Sequence, residues 1–481
     1  MANTFFYREA EQGGDDITWR EIFSECRKKH DKKDMEYAMS AGTVMNSATE
    51  ANMLEKWRKP WLFLRILIGG LVLTAIIYAI FLFNVFFVGY AVEAIRLIVT
   101  ILPPLVVPVA LMVLIWELNI PKNVSIYQLL GMFVIGALLS LTFSMILFEH
   151  NGIFSDISEM ISKILKKQFG ISTNGIFELS VAGFIEEPGK LIAAIIILLF
   201  FARKNKIYGL TGLVIGAAVG AGFSGFESAQ YASNSYLSAL SEYGNYTAAS
   251  ISMLITEIVR MVMAIAGHTI FCAPYIGALA LGMQDNKITV KSFLNRDFLI
   301  TFVISVFCHF FWNMDIPYKF YIHSEHYLEV YCIEEGIKDG IVTVVLWLEL
   351  LYILKKALRQ AVKTGRAAKQ GQSRPLALLL VGIAGALKGA VWDFSAGKTL
   401  HMGRSEECEF RFPADTKAIS RRHCLIFQTQ QGWVLRDAGS TYGTYVNGKE
   451  KLKPGEERPL REGDTIYLGG KENAFRVVRK T

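Results

Sequence analysis

The sequence predicts a polytopic α-helical membrane domain of about eight transmembrane helices followed by a C-terminal all-β sandwich. Three observations carry this. The 481 residues are 52% hydrophobic and only 19% charged, with a mean hydropathy of +0.34, values few soluble chains show. Apolar runs recur between residues 60 and 357, each near the ~20 residues that a membrane helix needs. From about residue 375 the pattern turns to short runs parted by Gly, Asp, Asn and Pro, which reads as strands and turns.

Residues 1–59 are polar and mixed in charge ("RKKHDKKDMEYAM") and read as a small helical cytoplasmic segment, a solvated leader without chemistry of its own. The first residues lack a cationic stretch before an apolar core, so no cleavable signal peptide is expected and the first span acts as the signal. Spans are predicted at about 60–89, 95–117, 124–149, 177–201, 207–232, 250–283, 297–315 and 338–357. The sixth is too long for one straight crossing, and its excess near Pro274 predicts a tilt or a helix leaving the bilayer. Between the third and fourth, Ile157, Ile161 and Leu165 recur with lysines between them, the pattern of an interfacial amphipathic helix. The loops "ARKNK", "NKITVKSFLNR" and "KKALRQAVKTGRAAK" are basic, whereas "SNSYLSALSEYGNYT" has neither Lys nor Arg. Counting positives inside places both termini in the cytoplasm of a multi-pass plasma-membrane protein, with the lysines of the amphipathic segment on the discordant side. Residues 358–374 read as a flexible basic linker. "LALLLVGIAGALKG" is too short to cross a bilayer and reads as the first strand of a domain at 375–481.

The formal net charge of +7 belongs to cytoplasmic loops, and no nucleic-acid partner is inferred from it. Six scattered cysteines without a CxxC disfavour zinc fingers and disulfide frameworks alike.

The fourth span contains Glu186, Glu187, Pro188, Gly189 and Lys190. A charge at mid-membrane costs at least ~2.5 kcal/mol, and two adjacent carboxylates cannot both ionise cheaply. Lys190, four residues from Glu186 and three from Glu187, can reach both. Pro188 offers no N–H to the Phe184 carbonyl, so a kink or opening is expected there, in a wet pocket within the bilayer. Other spans carry polar groups to meet it: Glu227, sharing a face with Phe223, on the fifth, His268 on the sixth, and His309 and Asn313 on the seventh; Glu186 and His309 are expected near the middle of the core and Glu227 closer to the outer side. Gly212, Gly216, Gly220 and Ser224 form a small-residue stripe along which a neighbouring helix can approach. Glu257 and Arg260 read as a structural ion pair, and Glu349 as an isolated helix partner. Buried charges need partners, and these groups need one another.

EExxK, then FxxxE, a histidine and HxxxN on successive membrane helices resemble the PrsW family of intramembrane proteases over about residues 60–357. The resemblance implies hydrolysis of a peptide bond in a membrane-anchored protein, site-one-type processing such as that of anti-sigma factors. It implies Glu186, Glu187, Lys190, Glu227, His268, His309 and Asn313 as the catalytic set. Glu186 or Glu187 with a histidine would activate water, and Asn313 or a histidine would stabilise the oxyanion. Zinc is compatible, held by His268 and His309 with Glu227 or Glu187; HExxH is absent, so spacing leaves the metal open. The preferred reading is glutamate-based, and a zinc-dependent version is the alternative. A scaffold or transporter whose polar groups line a path is a rival of another class, as is an inactive protease core with phosphothreonine binding as the main function.

In the tail, "LHMGR", "ISRRH" and "DAGSTYGTYVNG" resemble an FHA domain. That implies a β-sandwich binding a phosphothreonine protein through Arg404, Ser420, Arg421, Thr441 and Asn447, with Gly403, His423, Ser440, Gly443 and Thr444 also matching. Arg404 supplies a planar cation for phosphate, and His423 reads as a loop brace. Tyr442 departs from the family pattern, which puts part of the peptide-backbone contact in doubt. Thr364 in the linker is a conceivable target in cis.

Overall fold

The computed structural model of the chain describes residues 19–43, 46, 48–88, 93–149, 160, 163, 167, 181–314, 327–373, 378–393, 399–429, 432–448 and 451–479. It divides into two compact units, Met1–Arg366 and Ala367–Thr481.

In the first unit, a short helix α1 (Lys32–Met39), capped by Asp31, precedes the apolar helices. These are α2 (Leu62–Phe83), α3 (Glu93–Glu117), α4 (Ile126–Glu149), α5 (Ala182–Ala202), α6 (Gly209–Tyr243), α7 (Tyr246–Met263), α8 (His268–Leu281), α9 (Arg296–Trp312) and α10 (Tyr327–Ser373). Helix thus stands on each apolar run read from the sequence. Among the described residues, five segments are long and apolar enough to cross a membrane: Leu62–Val88, Ala94–Glu117, Ile126–Glu149, Gly209–Tyr243 and Tyr246–Leu281. The count of eight spans is not reproduced by that measure. α5 carries Glu186, Glu187 and Lys190 within its 21 residues, and α9 has only 17.

Four expectations are corrected. The sixth span breaks at Gly267, whose extended backbone ends one hydrogen-bonded ladder and starts α8; Pro274 lies inside α8, where a missing N–H removes a single bond. α5 runs without interruption through Pro188, pressed by α9 at Gly183 and by α4 at Gly189. The basic linker is not a flexible stretch, because α10 continues to Ser373 on a run of good helix formers free of proline. Thr364 is consequently a helical residue, poorly suited to presentation as an extended peptide. The N-terminal segment is anchored at points among its described residues and is not solvated throughout. Ile22 and Met53 are fully buried in the apolar core of the helices, and the Trp57 indole donates to the Glu117 carbonyl at 3.1 Å. The Glu117 carboxylate accepts from the N–H groups of Trp61, Leu62 and Phe63 at 2.9–3.0 Å, satisfying the donors that the start of α2 leaves open. The amphipathic segment around Ile157, Ile161 and Leu165 lies outside the described residues.

The second unit comprises strands β1 (Leu378–Ala384), β2 (Val391–Asp393), β3 (Leu400–Gly403), β4 (Phe410–Arg411), β5 (Cys424–Thr429), β6 (Gly432–Asp437), β7 (Thr444–Val446), β8 (Glu457–Pro459), β9 (Thr465–Leu468) and β10 (Ala474–Arg479). They form two five-stranded sheets, β2-β1-β10-β9-β7 and β4-β3-β5-β6-β8. Alternating apolar residues, among them Leu378, Leu380, Ile426 and Leu435, close the core between them.

Candidate active site

Lys190 is fully buried and central. Its Nζ donates to Glu187 Oε1 at 2.7 Å and Glu186 Oε2 at 3.5 Å, and also to His268 Nδ1 at 2.7 Å. The ammonium lies 4.2 Å from the centroid of the Phe223 ring. One turn of α5 therefore supplies both carboxylates and the cation that makes their burial tolerable.

Glycine packing sets the other side chains. A Cβ at Gly220 would lie 2.2 Å from the His268 carbonyl oxygen, and one at Gly216 2.8 Å from that of Cys272. α8 thus lies directly along the α6 stripe, which places the first residue of α8, His268, beside Lys190. From α9, His309 stacks on Phe271 with ring centroids 4.9 Å apart.

Each imidazole has one nitrogen held by a carboxylate. His309 Nδ1–H donates to Glu187 Oε1 at 2.8 Å, and Tyr275 donates its hydroxyl to Glu187 Oε2 at 3.0 Å. His268 Nε2–H donates to Glu227 Oε2 at 2.7 Å. Arg260 grips the same oxygen at 2.5 Å and donates from Nε to Ser228 at 2.9 Å. The remaining nitrogens turn inward: His309 Nε2 stands 3.6 Å from Glu186 Oε2, and His268 Nδ1 faces Lys190. Glu186, His268 and His309 offer ligand atoms that all lie within 4.8 Å of one another.

This donor set fits a zinc-type ion. Two imidazoles oriented by carboxylates through their other nitrogens, plus one carboxylate, is the ligand chemistry of catalytic zinc. The 3.6 Å between His309 Nε2 and Glu186 Oε2 is close to the ~3.4 Å separating two tetrahedral ligands at ~2.0–2.1 Å from a metal. Distance alone groups Glu186 with the two histidines, where the sequence reading had Glu227 or Glu187; those two carboxylates bond the far nitrogens of the histidines, and His268 Nδ1 accepts from Lys190.

Six of the seven residues read from the sequence meet in this cluster. Asn313 caps the end of α9 one turn beyond His309, and no hydrogen bond of its side chain joins the network. Glu257 and Arg260 do not pair. Arg260 reaches across to α6, and neither oxygen of the fully buried Glu257 has a hydrogen-bond partner among the described residues. Glu349 likewise has no hydrogen-bond partner among the described residues. Tyr275 and the role of Arg260 escaped the sequence reading. Tyr275 stands seven residues after His268, two turns along the same face, a spacing that could have revealed it.

In the second unit, Arg404 emerges from β3 with its Nε donating to the Ile419 carbonyl and its Nη1 to that of Ala414, both at 2.6 Å. The Thr441 N–H donates to Ser420 Oγ at 3.1 Å, tying two loops together beside the exposed Arg421. His423 is wholly buried. Its Nδ1 accepts from the Ser420 N–H, and its Nε2 donates to the Gly443 carbonyl, both at 3.1 Å. Asp437 accepts from the hydroxyls of Ser440 and Thr444 at 2.6 Å, an organising role the sequence reading missed. The Asn447 side chain is engaged with Asp464 and the Thr465 N–H at 2.8 Å, bracing a turn.

Residues 125–333 match the PrsW family intramembrane metalloprotease, a range that holds all seven residues of the predicted catalytic set. Residues 400–469 match the FHA domain. An FHA domain-containing protein of Arabidopsis thaliana is 33% identical over 19% of this chain and 23% of its own length. FhaA, an FHA domain-containing protein of Mycobacterium tuberculosis, is 37% identical over 18% of this chain and 16% of its own. The chain thus spans less than a quarter of the length of either relative. The solution structure of the FHA domain of an Arabidopsis thaliana hypothetical protein is 30% identical, covering 22% of this chain and 88% of that one, with a TM-score of 0.21.

Proposed function

We propose that this chain, a PrsW-family membrane domain joined to an FHA domain, hydrolyses a peptide bond in a membrane-anchored protein and docks phosphothreonine proteins through its tail. The observation that carries the reading is the convergence of Glu186, His268 and His309, with Glu187 and Glu227 gripping the far nitrogen of each imidazole. Glu186, His268 Nδ1 and His309 Nε2 would hold a zinc-type ion, which when bound supplies Lewis-acid stabilisation of charge at the scissile carbonyl. Glu187 and Glu227 fix the tautomers of the two histidines. Arg260 keeps Glu227 in place. Lys190 is the positioned cation beside the developing oxyanion. The substrate class is a single-span protein processed in site-one fashion, as for anti-sigma factors, and the protein is multi-pass in the plasma membrane with both termini cytoplasmic.

The 2.7 Å contact of Lys190 with His268 Nδ1 favours a second reading, in which no ion is needed and Glu186 acts as general base. In the tail, Arg404, Ser420, Arg421 and Thr441 form the phosphate-binding group, and Asn447 shapes the adjoining turn.

The test is cleavage of a membrane-anchored reporter by wild type and by Glu186→Gln, with thermal melts in detergent as the folding control. Loss of cleavage by about a thousandfold or more with an unchanged melt is expected. Full activity in Glu186→Gln would remove this residue from the chemistry.

A further inference from the structure

We propose that Lys122 and Arg58 form a seat for the phosphate of an anionic lipid headgroup, at the end of the bundle where α2 and α4 begin. The inference is independent of the proteolytic reading and needs only that the apolar helices lie in a bilayer.

Lys122 is the anomaly that points to it. It sits in the loop between α3 and α4, 8% exposed, in the left-handed backbone region at φ 46°. Its N–H closes a turn onto the Asn119 carbonyl at 2.9 Å. A lysine held in that conformation signals that the position of its side chain matters. Its Nζ lies 4.4 Å from the centroid of the Tyr37 ring, and the Arg58 guanidinium lies 4.7 Å from the same centroid. The Tyr37 hydroxyl fixes that ring by donating to the Lys56 carbonyl at 3.0 Å.

Two cations therefore share one aromatic ring, and among the described residues neither has a carboxylate within ion-pair distance. The Glu117 carboxylate at the end of α3 is taken up by three backbone N–H groups. Burial first, then the Arg58 and Lys56 charges, lowers the Lys122 ammonium to about 8. The Lys122–Arg58 pair on the Tyr37 ring is short of one anion.

The position selects the anion. Arg58 precedes Leu62, the first residue of α2, by one short loop, and Lys122 lies between the last residue of α3 and the first of α4. Three helices apolar enough to cross a membrane have ends here, so the cations stand at headgroup depth, where lipid phosphates are concentrated and basic side chains attract anionic lipid. A phosphate would accept from the Lys122 ammonium and from the exposed Arg58 guanidinium, which is suited to bidentate contact.

The experiment titrates the full chain in neutral detergent with phosphatidylglycerol and, separately, with phosphatidylcholine, counting retained lipids by native mass spectrometry. Wild type is expected to retain phosphatidylglycerol in preference to phosphatidylcholine. Lys122→Met and Arg58→Gln should each lower phosphatidylglycerol affinity about fivefold. Lys204→Met, in the exposed turn between α5 and α6, should leave it unchanged. Arg58 is exposed, so its variant tests the seat without risk to folding. Equal retention of phosphatidylglycerol by wild type and both variants overturns the proposal. Displacement of the lipid by millimolar inorganic phosphate would assign the seat to a soluble anion and overturn the headgroup source.

Discussion

Glu227 is held from two sides, by Arg260 at 2.5 Å and by His268 at 2.7 Å, and this decides which nitrogen of His268 turns inward. Arg260 is thus a positioning residue. Arg260→Met should lower kcat about 10–100-fold, the range for losing a partner behind a metal-type ligand, with KM little changed, and Arg260→Lys should recover part of the loss. Steady-state kinetics on a reconstituted substrate would show it; a change confined to KM would place Arg260 in substrate binding instead. At the same scale in the tail, burial holds His423 below its ordinary value, against the opposing pull of the Gly443 carbonyl and Asp437. Asp437 is raised by burial but lowered more by hydrogen bonds from Ser440 and Thr444, and ends below its ordinary value. Both groups therefore bind fewer protons folded than unfolded. The stability due to His423 is complete above ~6.5 and that due to Asp437 above ~3.9, and each is lost as pH falls through its folded value. The melting temperature of the C-terminal unit should fall as pH drops from 7 toward 5, first through His423. A flat profile would contradict the buried neutral imidazole.

Among elements, the α6–α8 contact does most to place the site. Gly220 has no room for a Cβ against the His268 carbonyl, so Gly220→Val must push α8 away. It should abolish cleavage while destabilising the fold by only about 1–3 kcal/mol, read by activity beside a thermal melt and circular dichroism; retained cleavage would show that His268 tolerates displacement. This contact was legible in the sequence because small residues recur at every fourth position. EExxK was legible for a similar reason, since helical periodicity alone puts Lys190 over both glutamates. The break at Gly267 was not, because Pro274 is the louder local signal and Gly267 ends the helix with an extended backbone in place of the left-handed one of the common glycine cap. At Pro188 the helix does not open, with α9 and α4 packed on it at Gly183 and Gly189. The pairing of Arg260 with Glu227 depends on the approach of two helices, which spacing along one helix cannot reveal.

Over the whole molecule, the division between the two compact units falls at Arg366–Ala367, inside α10. The continuous helix to Ser373 and the anchoring of the N-terminal segment through Ile22 and Met53 were hidden because charged, polar stretches look like linkers until their packing partners are known. The two activities should separate by mutation. Arg404→Ala should weaken phosphothreonine-peptide binding about tenfold or more, the scale of a charge-assisted hydrogen bond, as read by calorimetry, and unchanged affinity would count against the phosphate loops. The central claim is that Glu186, His268 and His309 make one peptidase centre. It is tested most directly by the initial rate of cleavage of a membrane-anchored substrate by the full chain in nanodiscs, before chelation, after chelation and after zinc is restored, with Glu186→Gln in parallel. Loss on chelation, recovery with zinc and an inactive Glu186→Gln in every condition is the predicted result. Cleavage that survives both the chelator and Glu186→Gln would contradict it.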